Sequence, residues 1–109
     1  MVYDEALADR VRSVLDSHPE VVERRMFGGL AFLLRGNLCC GVLGTELMVR
    51  VGPEGYDEAL RQPHARPMDF TRRPVRGLVY VERSGIADDG DLRRWVDRGA
   101  RYAGSLPAK

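Results

Sequence analysis

Apolar side chains recur every three or four residues near both ends of the chain, and in short or alternating runs between them. From Tyr3 to Ser17 the recurrence of Leu7, Val11, Val14 and Leu15, with acids early and Pro19 just beyond, predicts an amphipathic helix. From Val21 to Val51 short apolar runs are punctuated by Gly28-Gly29, Gly36-Asn37 and Gly44-Thr45, which predicts a meander of four antiparallel strands. Gly52-Pro53 ends the last of these and opens a short helix, "PEGYDEALRQ", because proline at the first helical position loses no needed hydrogen bond. Pro63, Pro67 and Pro74 interrupt the next stretch; "RGLVYVE" (Arg76 to Glu82) then alternates as a strand, with "PMDF" before it as a partial one. Asp88 or Asp89 caps a final helix whose stripe is Leu92, Trp95, Val96, Gly99, Ala103 and Leu106. The expected architecture is α+β, a mostly antiparallel sheet of about five strands with helices packed on it, as one domain over residues 1–109.

If Gly36-Asn37 and Gly44-Thr45 are two-residue turns, Leu34 lies opposite Cys39, Phe32 opposite Gly41, Leu33 opposite Cys40 and Val42 opposite Leu47. One face then carries Ala31, Leu33, Leu38, Cys40, Val42, Leu47, Val49 and Val51, and is expected beneath the helices. The other carries Leu30, Phe32, Leu34, Cys39, Gly41, Leu43 and Met48 beside Glu46 and Arg50. Its apolar end, Leu30, Phe32, Leu34, Leu43 and Met48, is the expected interaction surface, with a homodimer favoured. Cys39 and Cys40 should point to opposite faces as small hydrophobes. A two-residue turn at Gly28-Gly29 would align Arg24 with Val22 and Met26, which requires either a bulged pairing or a carboxylate partner for that arginine.

Charge changes this picture only locally. Seventeen basic and sixteen acidic residues leave a net charge of +1, so no global field draws nucleic acid or an anionic membrane. No secretory signal or bilayer-length apolar run is present, and two cysteines make no disulfide framework, so a cytoplasmic protein without a membrane is expected. The one basic patch is Arg61, Arg66, Arg72, Arg73 and Arg76 with His64, against Asp69 alone. With Arg24 and Arg25, the guanidinium groups of Arg66, Arg72, Arg73 and Arg76 form a candidate anion or nucleic-acid contact, the alternative reading of function.

No catalytic constellation emerges. Asp69 lies between Met68 and Phe70 as a candidate buried carboxylate, and a small enzyme would need a deep pocket around Asp69 and Tyr80. His18 and His64 lack ligand spacing with each other or with the cysteines, so neither a metal nor a cofactor is expected. No serine or cysteine shows a recognisable base partner.

"RRMFGGLAFLLRGN" (Arg24 to Asn37), "LMVRVGP", "RPMDF" and "GLVYV" resemble, in order and spacing, the N-terminal domain of the TfoX/Sxy family, over about Tyr3 to Leu106. Its most specific parts here are Met26, Phe27, Gly28 and Gly29, and the run ending Met68, Asp69, Phe70, all in structural roles. The family is associated with regulation of natural competence in bacteria, and its full-length members carry a second, C-terminal helical domain, so a stand-alone copy of the N-terminal domain is expected here. The resemblance implies a non-enzymatic regulatory or protein-interaction module that modulates transcription with a partner such as the cyclic-AMP receptor protein.

Overall fold

Asp4 starts the first helix. Its backbone is extended, and its side chain accepts from the N–H groups of Ala6 (2.9 Å) and Leu7 (3.2 Å), capping α1 (Glu5–Val14). A single 3-10 turn over Leu15–Ser17 follows. The structure, a computed structural model, describes residues 3–26, 28–69 and 74–109. The strands are β1 (Val21–Met26), β2 (Gly29–Leu34), β3 (Asn37–Leu43) and β4 (Glu46–Arg50), then β5 (Ala65–Pro67) and β6 (Leu78–Val81). Helix α2 (Tyr56–Leu60) separates β4 from β5, and α3 (Asp89–Gly104), capped by Asp88, ends the fold. Among the described residues the sheet has six strands in the order β1-β2-β3-β4-β6-β5, all antiparallel, so the architecture is α+β with one strand more than expected. The short strand is Ala65–Pro67, just ahead of Met68 to Phe70.

Helices α1 and α3 lie against one face of the sheet. Leu7, Val11 and Val14 of α1 and Leu92, Trp95, Val96 and Ala100 of α3 share a core with Cys40, Val42, Leu47, Val49, Val79 and Val81. The β3–β4 hairpin has the expected register, with Val42 opposite Leu47. Strand β2 does not: Leu34 pairs with Asn37 and Leu33 with Leu38, after which Cys39 is skipped and Phe32 pairs with Cys40. The turn thus lies one residue earlier than expected, at Arg35-Gly36, where both residues have positive φ (51° and 83°). A β-bulge at Cys39 restores the alignment of β3 with β4.

This shift exchanges the faces of β2. Leu30, Phe32 and Leu34 belong to the core beneath the helices, whereas Ala31, Leu33 and Leu38, expected there, lie on the reverse. The bulge also brings Cys39 and Cys40 into the same core rather than onto opposite faces. It explains Gly99 as well: a Cβ there would stand 2.4 Å from the Cys39 carbonyl oxygen, so only glycine lets α3 settle this close to the sheet. Leu106 lies beyond the helix end and is half-buried.

Candidate interaction surface

Reading across the reverse face from edge to edge, the strand pairings align Arg24, Ala31, Gly41, Met48, Tyr80 and Arg66 in one lateral row. At the β5 edge this face is closed. Met48, Met68 and Tyr80 form a second buried cluster, with Leu38, Leu43 and Leu78 packed around it. Arg66 lies over the Tyr80 ring, 4.8 Å from its centroid, and its NH2 donates to Glu46 at 2.7 Å as one arm of a two-pronged pair. Burial first, then the charge of Asp69, raises the Tyr80 phenol above its ordinary range. At the β1 edge the face is open. Val22, on the same side as Arg24 and Met26, is 59% exposed, and among the described residues β1 has a strand neighbour on one side only.

The row separates the arginines that the sequence grouped. Arg24 and Arg66 stand at opposite ends of it, five strand spacings or roughly 24 Å apart. Arg25 points to the other side of β1, in register with Leu30. Arg76 lies over the Tyr56 ring at 5.2 Å, with Asp57 at 3.5 Å. Arg66 and Arg76 are therefore engaged within the fold, while Arg24 and Arg25 have no carboxylate partner among the described residues. Arg72 and Arg73 lie outside the described residues. The pairing of β1 with β2 is unbulged, so Arg24 needs neither expected remedy: it shares the open face and reaches water.

The expected interaction surface is corrected likewise. Leu30, Phe32 and Leu34 are buried under the helices and Met48 beneath its own face, so of that set only Leu43 keeps partial exposure. The exposed residues at this end of the sheet are Val22, Glu23, Arg24 and Arg25 of β1. Its Glu23 accepts from Arg12 of α1 on both oxygens (2.6 and 2.8 Å), and this hydrogen bonding holds the Glu23 carboxyl below the usual range. Of the family motif, Met26 is half-buried at the end of β1 and Gly28 has φ 74°. A Cβ on Gly29 would meet the Val42 carbonyl oxygen at 2.2 Å, a close approach that fixes glycine there. Met68 is buried and Asp69 is exposed rather than buried; Phe27 and Phe70 lie outside the described residues.

One constellation was missed by sequence reasoning. A groove of about 640 Å³ runs between α3 and the turn after α2, lined by His64, Ser84, Trp95, Arg94, Arg98 and Arg101 among others. Ser84 Oγ is 3.0 Å from His64 Nδ1, and the Glu82 carboxylate is 3.8 Å from the same nitrogen. A nucleophile relay needs hydroxyl and carboxylate on opposite ring nitrogens, and these two compete for one. His64 has φ 70°, and a Cβ on Gly85 would lie 2.7 Å from the His64 Cβ. Residues 20 apart are joined by that backbone geometry, which leaves no periodic signal. The groove's arginines are largely neutralised: Arg94 pairs with Asp91, and Arg98 with Glu58. It is lined by neither Asp69 nor Tyr80, around which a small enzyme would have needed its pocket. The buried Cys40 thiol is held well above the ordinary thiol range, first by its hydrogen bond with Cys39 and then by burial.

No helix among the described residues is long and apolar enough to cross a membrane. No curated protein and no solved structure matches the chain. A family model does, that of the TfoX N-terminal domain, over residues 13–103. The match begins within α1 and ends within α3, taking in every strand and the bulged hairpin between them. By that correspondence the chain belongs to the TfoX N-terminal domain family.

Proposed function

We propose that this protein is a non-enzymatic regulatory module that works by protein–protein contact, modulating transcription through a partner such as the cyclic-AMP receptor protein. Family membership supports the regulatory half of this reading. The observation that carries the contact half is the β1 edge, whose backbone has one strand neighbour among the described residues and whose Val22 is 59% exposed. An extended segment of a partner can add to such an edge, main-chain hydrogen bonds supplying affinity and side chains supplying selection. The withdrawn thiols and the competing partners of His64 speak for a role without covalent chemistry. Two unlinked cysteines accord with a reducing cytoplasm.

The test is calorimetric titration of the purified chain with the cyclic-AMP receptor protein of its own organism. Binding is expected for the natural chain, and Val22→Glu is expected to weaken it about tenfold, since a desolvated charge at the contact costs at least about 1.4 kcal/mol. No heat of binding at any cyclic-AMP concentration refutes the named partner; binding unaffected by Val22→Glu refutes the edge as its seat. In a mobility-shift assay with duplex DNA, the separation of Arg24 from Arg66 and the engagement of Arg66 and Arg76 within the fold predict no salt-sensitive complex.

A further inference from the structure

The edge that carries the proposed contact is also complementary to itself. Strand β1 reads Val21-Val22-Glu23-Arg24-Arg25-Met26, with Val21, Glu23 and Arg25 on the helix side and Val22, Arg24 and Met26 on the reverse. When two copies pair antiparallel about a twofold axis normal to the sheet, their helices stay on one side. Residues placed opposite each other must then belong to the same face. That condition leaves few registers. Centring on Glu23 sets Glu23 against itself and each valine against an arginine. Centring on Arg25 sets Arg25 against itself and Arg24 against Met26, and centring on Val22 engages only three residues of the strand.

Centring on Arg24 is different. Each Glu23 then faces the partner's Arg25, and each Val22 faces the partner's Met26, giving two opposite-charge pairs and two apolar pairs. Only the central Arg24 meets its own kind. Arg25 has no carboxylate partner among the described residues, and Glu23, though bonded to Arg12, keeps a second lone pair on each oxygen. The exposed Val22 is the residue that such a pairing covers.

We propose that two copies of this chain pair antiparallel through their β1 edges, centred on Arg24, joining two six-stranded sheets into one continuous sheet. The pairing rests on the interaction reading and names a second copy as the occupant of the edge, which a receptor strand would have to displace, and it can fail independently of that reading. It predicts a precise pattern of cross-links. An Arg24→Cys chain places two thiols directly opposite, with Cα atoms about 4.5–5.5 Å apart, inside disulfide range. A Val22→Cys chain places its two thiols four residues out of step, roughly 13 Å apart, outside that range. A mixture of Val22→Cys and Met26→Cys chains brings unlike thiols together again.

The experiment is mild oxidation of each folded variant followed by non-reducing electrophoresis, with Cys39 and Cys40 buried and silent, and circular dichroism confirming each fold. Expected are a linked dimer for Arg24→Cys and for the mixture, and none for Val22→Cys alone. Light scattering of the unlinked proteins is expected to show a dimer for the natural chain, about tenfold weaker association for Arg25→Glu, and recovery in the Glu23→Arg, Arg25→Glu double variant. Recovery by exchange of charges is a result that damage to the fold cannot mimic. Equal linking of Arg24→Cys and Val22→Cys, a natural chain that is monomeric at about 100 μM (a concentration at which even a weak pairing with a Kd of roughly 40 μM is populated), or no recovery in a folded double variant overturns the pairing. Receptor binding that persists in such a monomer leaves the regulatory reading standing, whereas a dimer of this register that ignores the receptor removes the named partner and keeps the pairing.

Discussion

Gly99→Ala tests whether the Cys39 bulge sets the depth at which α3 lies on the sheet. Local reasoning favours the substitution, because alanine in a helix interior is better than glycine by about 1 kcal/mol. Packing opposes it. The new methyl carbon would lie 2.4 Å from the Cys39 carbonyl oxygen, 3.2 Å from that carbonyl carbon and 3.3 Å from a Val49 methyl. Ordinary contact begins near 3.4 Å, so α3 must lift by about 1 Å, or the bulge must be pushed down by as much. A gap of that width forfeits a quarter to a half of the attraction at each neighbouring contact, among them those of Trp95, Val96 and Ala100. Overpacking costs about 1–3 kcal/mol, with an overlap of about 1 Å against backbone at the upper end, and the helix preference returns about 1, so a net loss of roughly 1–2 kcal/mol is expected. Gly104→Ala is the internal control, since its methyl would meet Leu34 at an unstrained 3.5 Å and it should be neutral or mildly stabilising. Urea unfolding followed by circular dichroism reads both: the midpoint should fall for Gly99→Ala, with the slope unchanged, and hold or rise for Gly104→Ala. A Gly99→Ala chain at least as stable as the natural one would refute the close approach.

Three further outcomes follow from the same contacts. Because Arg12 holds the Glu23 carboxyl below its ordinary range, the unfolded chain binds more protons in that window, and the pair's contribution is present above the ordinary glutamate range and lost as pH falls through the lowered folded value. Glu23→Gln should therefore cost less than about 1 kcal/mol at neutral pH, as suits a half-exposed pair, and should flatten the acid side of a midpoint-against-pH curve. Arg66→Ala should lower stability by about 1–2 kcal/mol through loss of the Glu46 pair and the Tyr80 contact, measured by the same unfolding midpoint; an unchanged midpoint would return Arg66 to the pool of free binding residues. A thiol reagent should find both cysteines in denaturant and neither promptly in the folded chain, and rapid native labelling would contradict the burial of the bulge.

How much of this was legible follows from which residues set the geometry. The helices were readable because their apolar spacing and their aspartate caps are local, and α1 and α3 lie where Leu7–Val14 and Leu92–Ala103 predict. The β3–β4 hairpin was readable because Gly44 begins a two-residue turn and the alternation beyond it is unbroken. The β2–β3 hairpin was not, because two departures of one residue each combine there. Arg35, which is not a glycine, takes positive φ at 51°, so the turn closes one position early, and Cys39 then bulges to compensate. An apolar run such as Leu30 to Leu34 offers no polar residue to reveal which side faces water, so the faces were assigned by turn position alone, and the assignment inverted. The same limit hid the grouping of the arginines. Proximity in sequence placed Arg66 and Arg76 in one patch, and aromatic rings and carboxylates from three other elements engage them singly.

What remains exposed at β1 then bears on specificity. Charged residues on an edge strand ordinarily guard a sheet against indiscriminate pairing, and Glu23, Arg24 and Arg25 fit that role. The guard discriminates, however, because a strand of uncharged residues leaves three charges uncompensated, whereas a strand carrying the same triplet in reverse direction satisfies two of them on each copy. Arg24 is then the residue that keeps the association weak, since it alone faces a like charge at the axis. Neutralising it as Arg24→Gln should tighten self-association while leaving the fold untouched, because among the described residues Arg24 has no partner to lose. A generic guard predicts the reverse emphasis, with any loss of charge promoting aggregation without a fixed stoichiometry. Sedimentation of Arg24→Gln separates the two: a discrete dimer supports a self-selecting edge, and a broad distribution of larger species shows that the charges merely repel.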